Sequence, residues 1–155
     1  MFIDLRKAFD TLDHSNLSQK LNNYGIRGNA LKWLNSYLAN RKQFVQINDT
    51  SSCLLDIICG VPQGSILGPK LFILYMNDIC NVSNILRFIL FADDTNAFKS
   101  GFNINELADS ITCELEKLQI WFNTNKLSLN VTKTNFMVFG NFRKTGINTK
   151  NIKST

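Results

Sequence analysis

Proline, histidine and long apolar runs are scarce in this sequence. With 2 Pro and 8 Gly in 155 residues, the chain is neither collagen-like nor a Pro/Gly-rich disordered segment. Its four cysteines, at positions 53, 59, 80 and 113, form no Cys-x-x-Cys motif, which excludes a zinc or redox pair and a disulfide-dense scaffold. No apolar stretch approaches the ~18–20 residues that a membrane span needs. We therefore expect a soluble, intracellular protein with no membrane partner.

The composition is that of one folded domain. Apolar residues make up 45% of the chain and charged residues 19%, which allows a sizeable core within a single-domain length. The net charge of +5 is unevenly spread, because residues 141–155 contain Arg143, Lys144, Lys150 and Lys153 and no acid. The sequence predicts a domain over residues 1–140 and a basic, flexible tail over 141–155.

The hydrophobic pattern changes period several times along the chain. Apolar runs of strand type, apolar stripes of helical period and turn residues follow one another without a βαβ alternation. The expected elements are a strand at 2–5, helices at 17–24 and 31–38, a hairpin at 44–58, a helix at 65–80, a hairpin at 85–98, a helix at 107–122 and a strand at 135–139. Gly25 is expected to stop the first helix, and residues 48–51 are expected to form the turn of the first hairpin. This order predicts an α+β fold in which an antiparallel sheet has helices packed on one face.

Two groups of acidic residues lie at the ends of expected strands. Asp93 and Asp94 are expected at the tip of the second hairpin, and Asp4 follows the apolar start of the first strand. A solvated turn explains the pair when it is taken alone, because Asp is common in turns. Asp10 and Asp13 precede a helix and are expected to act as N-cap and helix-dipole residues.

Taken together, these acids predict a different chemistry. If the first strand and the second hairpin are neighbours, Asp4 and Asp93 lie side by side and form a hard-oxygen site for Mg²⁺. Two metal ions about 3.5–4 Å apart can activate a hydroxyl and neutralise charge on a phosphoryl group. The pattern therefore favours phosphoryl or nucleotidyl transfer.

Four segments carry a family resemblance. Residues 4–10 (DLRKAFD), 61–69 (VPQGSILGP) and 91–95 (FADDT) resemble, in order, motifs A, B and C of reverse transcriptases, and residues 125–134 (NKLSLNVTKT) are similar to motif D. The likeness is greatest to the enzymes of non-LTR, LINE-type and jockey-like retrotransposons. It covers residues 2–140 and implies the palm of an RNA-directed DNA polymerase.

The resemblance implies the roles of the acidic residues. Asp4, Asp93 and Asp94, with the backbone carbonyl of Leu5, would hold two Mg²⁺ ions, for which Mn²⁺ can substitute. Lys133 matches the motif D lysine that protonates the leaving pyrophosphate. A surface lysine is the alternative for Lys133.

The resemblance also implies a nucleotide pocket. Phe9 matches the aromatic residue that discriminates against a 2′-hydroxyl, and Gln63 and Gly64 match positions that approach the nucleotide and template. Core packing is the alternative for Phe9, and a turn before a helix is the alternative for Gln63 and Gly64.

The implied partners are an RNA template, a DNA primer and deoxynucleoside triphosphates. The implied location of the protein is the nucleus or a cytoplasmic ribonucleoprotein. The sequence does not determine the oligomeric state. Because the match starts at motif A and stops soon after motif D, we expect most of the fingers and thumb to be missing and the isolated chain to lack primer extension. The first alternative is a degenerate, non-catalytic nucleic-acid-binding remnant. The second is a phospho-receiver domain, whose acidic pair follows its first strand, unlike the late pair here.

Overall fold

The computed structural model of the protein describes residues 1–140, so the predicted basic tail lies outside the described residues. Within that range the chain forms short strands, four α-helices and two 3-10 turns. The helices are α1 (His14–Asn23), α2 (Gly28–Leu38), α3 (Leu67–Met76) and α4 (Ile104–Thr124), and the 3-10 turns are Ala8–Asp10 and Asn77–Asn81. The strands are β1 (Phe2–Ile3), β2 (Lys42–Gln43), β3 (Gln46–Ile47), β4 (Thr50–Ser51), β5 (Leu55–Asp56), β6 (Arg87–Phe91) and β7 (Asp94–Phe98).

The first helix begins three residues before the expected range of 17–24, directly after Asp13, and ends at Asn23. The Asp13 carboxylate accepts a hydrogen bond of 2.9 Å from the backbone N–H of Asn16, which satisfies one of the free donors at the helix start. Leu17 and Leu21, four residues apart, are fully buried, as the helical period requires. The predicted N-cap role of Asp13 is confirmed, whereas Asp10 lies in a 3-10 turn and caps no helix.

The last helix is the longest. Asn103 caps it by accepting a hydrogen bond from the Asn105 N–H at 3.0 Å, and its side-chain amide donates to Glu106. One face carries Leu118 and Phe122 into the core, where both are almost fully buried. The predicted amphipathic helix is confirmed.

The central sheet has three antiparallel strands in the order β1-β7-β6. Strands β6 and β7 form a hairpin in which Phe91 pairs with Asp94, and β1 adds to the other edge of β7 through the pairs Phe2–Asn96 and Ile3–Thr95. Two residues from the start of the chain are therefore joined to a hairpin more than 90 positions later.

One face of this sheet is covered by helices. Ile3, Thr95 and Ala97 are buried, and their side chains share the face that packs on the helical core around Phe72 and Tyr75 of α3. The residues between them along the strands point the other way and are more exposed, as the period of two requires. The α+β fold with helices on one face is confirmed, and the alternating βα order of a phospho-receiver is absent from residues 1–140.

The segment between α2 and α3 differs in detail from the expected hairpin. The ribbon pairs β2 with β5 and β3 with β4, so Thr50 and Ser51, expected in the turn, are strand residues. The turn is shortened to Asn48 and Asp49, and Asn48 has a φ of +51°. Asn tolerates this left-handed conformation better than most residues, which permits the tighter turn.

Two other expected boundaries move. The helix expected over 65–80 is α-helical only over α3 and then tightens into the second 3-10 turn. The strand expected at 135–139 is reduced, within the described residues, to an isolated bridge between Asn135 and Phe2. Both backbone bonds of that bridge form, at 2.7 and 3.0 Å, and no ladder continues from it within residues 1–140. In the part of the chain that the structure describes, no helix is long and apolar enough to cross a membrane.

Candidate active site

The register of the central sheet brings Asp4 to Asp94. Ile3 pairs with Thr95, and the same antiparallel register continued by one residue sets Asp4 opposite Asp94. Directly opposed residues have Cβ atoms about 4.5–5.5 Å apart on the same face of the sheet. Because two opposed carboxylates repel each other, this end of the sheet is suited to a cation.

A cavity of about 280 Å³ lies at this end of the sheet. It is lined by Phe2, Ile3, Asp4, Asp94, Thr95, Asn96 and Lys133. Three of the residues predicted to be catalytic thus share one cavity, although they come from three separate segments of the chain. Thr95 also has a buried hydroxyl oxygen with no hydrogen-bond partner within residues 1–140, but its side chain lies on the face of the sheet that packs on the helices, away from the two carboxylates.

The third predicted carboxylate has a different position. The two acids were expected together at the hairpin tip, but the two-residue turn consists of Ala92 and Asp93, and Asp94 is the first residue of β7. Ala92 has a φ of +51°, since a tight two-residue hairpin needs a positive φ at its first turn position. Asp93 is exposed in this turn and is not part of the cavity lining.

The loop after α4, which holds motif D, is hydrogen-bonded to Asp4. The backbone N–H of Asn130 donates to the Asp4 carbonyl at 2.9 Å, and its side-chain amide donates to Asp4 Oδ2 at 2.7 Å. Thr134 accepts a longer bond from the Asp4 N–H. Asn130 and Thr134 were missed as site residues. The sequence feature that could have identified them is their position in motif D, three residues before Lys133 and one residue after it. The sequence does not show which strand this loop contacts.

The same loop is anchored to the helices at its start. Lys126 pairs with the Asp13 carboxylate at 2.5 Å, and this hydrogen bond, with that from Asn16, holds the pKa of Asp13 below its usual value. The buried hydroxyl of Tyr75 donates to the Asn125 carbonyl at 2.7 Å. Burial raises the pKa of Tyr75, so this phenol stays a donor through the neutral range.

Motif A continues from Asp4 into a turn that carries Phe9. Leu5 is buried and bridges to Leu129. The backbone bonds of this bridge run from Arg6 to Ser128 and from Asn130 to Asp4, so the pairing does not use the Leu5 carbonyl. Phe9 is half-buried, and the centroid of its ring lies 4.6 Å from the centroid of the Phe72 ring.

Motif B is fastened to the turn of motif A. The Gln63 amide donates to Asp10 Oδ1 at 2.7 Å, and the Val61 N–H donates to the Phe9 carbonyl at 2.8 Å. Gly64 has a φ of +77°, a conformation that glycine adopts without strain. Gln63 and Gly64 are both exposed, and neither they nor Phe9 line the acidic cavity, so the three positions predicted for the nucleotide pocket lie outside it.

The only histidine has a structural contact. His14 Nε2 lies 2.7 Å from the Gly60 carbonyl oxygen, which links the start of α1 to the strand end before motif B. Within residues 1–140 no group of three His, Cys, Asp or Glu side chains is placed to hold a metal ion.

The donor set nevertheless fits Mg²⁺. This ion prefers oxygen ligands and is usually held by one or two carboxylates together with waters and substrate phosphates, not by an all-protein cage. Asp4 and Asp94 supply two carboxylates to one cavity. Asp93 on the adjoining turn is the nearest further acid in the sequence.

An antiparallel sheet with helices on one face and an acidic cavity at its strand ends is consistent with a palm domain of the nucleotide-polymerase class. The sequence matches the family described as "Reverse transcriptase (RNA-dependent DNA polymerase)" over residues 1–153. The chain belongs to this family.

Similar proteins come from mobile elements of Drosophila. The chain is 31% identical to the probable RNA-directed DNA polymerase from transposon X-element of Drosophila melanogaster, over 149 residues that cover 94% of this chain. It is 31% identical to the probable enzyme from transposon BS of the same species over 147 residues, or 86% of the chain. The RNA-directed DNA polymerase from mobile element jockey of Drosophila funebris is 27% identical over 147 residues, or 90% of the chain.

These matches confirm the resemblance to reverse transcriptases of non-LTR retrotransposons. In each case the chain spans 16% of the length of the relative, so the matched region is a small part of those proteins.

Proposed function

We propose that this chain is palm sequence of an RNA-directed DNA polymerase that acts in retrotransposition. The reaction is addition of deoxynucleotides to a primer 3′-hydroxyl, directed by an RNA template. One observation carries the proposal: Asp4, Asp94 and Lys133, from motifs A, C and D, line the same cavity. A solvated hairpin tip, the simplest alternative for the acidic pair, gives no reason for Asp4 and Lys133 to converge on it.

In this proposal Asp4, Asp94 and Asp93, with the Leu5 carbonyl, hold two Mg²⁺ ions, and Mn²⁺ can replace them. When bound, such ions lower the pKa of the attacking hydroxyl and neutralise charge on the phosphoryl group. The chain itself supplies the placement of the carboxylates. The pairing of Ile3 with Thr95, one residue before Asp4 and one after Asp94, supports this placement.

Lys133 is proposed as the general acid. Lys133 lines the cavity that Asp4 and Asp94 also line, and a lysine ammonium there can donate a proton to a departing pyrophosphate oxygen. Its position is set by the motif D loop, since the Lys133 N–H donates to the Asn130 carbonyl at 3.1 Å.

Phe9, Gln63 and Gly64 are proposed to contact the incoming nucleotide. The contact between the rings of Phe9 and Phe72 gives Phe9 a rigid support, which a residue that discriminates by steric clash requires. The bond from Gln63 to Asp10 keeps the motif B loop against the same turn. The positive φ of Gly64 lets the backbone approach a ligand without a side chain.

The test is the affinity of the 155-residue chain for Mn²⁺, measured from the electron paramagnetic resonance signal of the free ion. Asp4→Asn and Asp94→Asn should each weaken binding about tenfold or more, as loss of a ligating charge requires. Asp49→Asn is the matched control, because Asp49 is an exposed acid at the tip of the ribbon. Equal affinities in wild type, Asp4→Asn and Asp94→Asn would contradict the proposed metal site.

Primer extension on an RNA template with Mg²⁺ provides the activity readout. Any extension by the chain must disappear in Asp93→Ala and in Asp4→Asn and must persist in Asp49→Asn. Extension that survives Asp93→Ala would show that the polymerase chemistry does not use these acids.

A further inference from the structure

Asn130 lies between the Asp4 carboxylate and a hydroxyl of its own loop. Its Nδ2 donates to Asp4 Oδ2 at 2.7 Å, while its Oδ1 accepts from the Thr132 hydroxyl at 2.8 Å. Asn130 is half-buried and its bond to Asp4 is partly buried, so water competes less for that bond than on an open surface.

The Asp4 carboxylate determines which way the amide points. An ionised carboxylate only accepts, so it bonds the amide nitrogen, whereas the Thr132 hydroxyl can donate to the amide oxygen or accept from the amide nitrogen. If the amide were turned over, two acceptors, the amide oxygen and the carboxylate, would face each other. The bond to Asp4 therefore sets the orientation in which the NH₂ group faces Asp4, and the bond from Thr132 to the amide oxygen stabilises it.

The backbone repeats this connection. Asn130 N–H donates to the Asp4 carbonyl, so the side chain and the main chain of one residue hold one acid. The Asn130 carbonyl accepts from the Lys133 N–H. The residue that holds Asp4 thus also fixes the turn from which Lys133 reaches the cavity.

We infer that Asn130 is a positioning residue for Asp4, holding its Oδ2 so that Oδ1 is left for a divalent cation. Within residues 1–140 the Asn130 amide is the only side-chain donor to this carboxylate. A carboxylate whose second oxygen is held by a neutral donor keeps its charge and loses its rotational freedom, which favours ligation through the remaining oxygen. This inference rests on the proposed function, because it assigns Asp4 to a cation.

The first measurement needs no metal. The ¹³Cγ resonance of Asp4 reports the hydrogen bonding of its carboxylate, and it is compared in wild type, Asn130→Leu, Thr132→Val and the double variant. Leu is close to Asn in size and removes the donor, while Thr132→Val removes only the hydroxyl that stabilises the orientation of the amide. We expect a shift in Asn130→Leu, a smaller shift in the same direction in Thr132→Val, and no further effect of Thr132→Val in the double variant.

The matched control is Asn135→Leu. Asn135 belongs to the same loop, and its side-chain amide donates to the Lys133 carbonyl and not to a carboxylate. Its substitution should leave the Asp4 resonance unchanged. An unshifted resonance in Asn130→Leu and in Thr132→Val would overturn the inference. If Asn130→Leu does not fold, Thr132→Val alone decides in the same way.

The second measurement is Mn²⁺ affinity by electron paramagnetic resonance. Residues that orient a ligand typically change metal affinity 10- to 100-fold, so Asn130→Leu should bind Mn²⁺ about tenfold more weakly, with a smaller loss in Thr132→Val and none in Asn135→Leu. Unchanged affinity in Asn130→Leu, when wild type binds, overturns the role of Asn130 alone. Failure of wild type itself to bind overturns the proposed metal site, and the inference with it.

Discussion

Gly60→Ala tests the attachment of motif A to motif B. Gly60 has a φ of +83°, and a Cβ atom added there would lie 2.7 Å from the carbonyl oxygen of Asp10 and 2.8 Å from its carbon atoms. The neighbouring bonds, from the Gly60 N–H to Leu12 and from the Val61 N–H to Phe9, leave the backbone little freedom to move away. The substitution therefore combines backbone strain with a backbone clash.

The magnitude follows from these two contributions. A left-handed conformation costs a non-glycine residue about 1–2 kcal/mol, and forced overpacking costs about 1–3 kcal/mol. We expect Gly60→Ala to lower the free energy of unfolding by about 2–5 kcal/mol, a large part of the ~5–15 kcal/mol typical of a domain.

Gly25→Ala is the matched control. Gly25 has a similar φ of +90°, but nothing lies within 4 Å of its added Cβ, so only the strain of about 1–2 kcal/mol remains. Urea unfolding gives both free energies, and hydrogen exchange of the Val61 amide should become faster only in Gly60→Ala. Equal losses of stability in the two variants would refute the close approach of motif B to Asp10.

Two further predictions concern the anchors of the motif D loop. Asp13→Asn keeps the acceptor for the Asn16 N–H but loses the ion pair with Lys126. The pKa of Asp13 is lowered in the folded protein. The free energy of unfolding of the wild type should therefore fall as the pH drops through the usual Asp range and below it. The variant should show a flatter acid dependence in unfolding measured from pH 7 to pH 2, and identical curves would contradict the ion pair. Tyr75→Phe removes the buried hydroxyl that donates to Asn125 and should cost about 1–2 kcal/mol in urea unfolding; a neutral result would mean that this bond does not hold the loop.

The helices were the most predictable part of the fold because their signals are local. In α1 the signals all come from one stretch of the chain: the cap at Asp13, the spacing of Leu17 and Leu21, and the stop at Gly25. Each agrees with the structure. A helix satisfies its own backbone bonds, so neighbouring residues in the sequence suffice to predict it.

The strands were less predictable because each depends on a partner. A period of two shows which residues share a face but not where pairing stops. The apolar run at 135–139 has strand character, but within the described residues only Asn135 pairs with β1. The hairpin tip moved by one residue for the same reason, since the Phe91–Asp94 pair leaves only Ala92 and Asp93 in the turn.

By itself the sequence determined the family, the α+β class and the identity of the acidic residues, because motifs and periods are properties of the chain. The tertiary structure decided which of these residues lie together. The pairing of Ile3 with Thr95 brings Asp4 and Asp94, but not Asp93, to one cavity, and the loop after α4 adds Asn130 to Asp4. Asp4 is 90 positions from Asp94 and 126 positions from Asn130, and only the register of the sheet and the path of the loop bring residues so distant in the chain together.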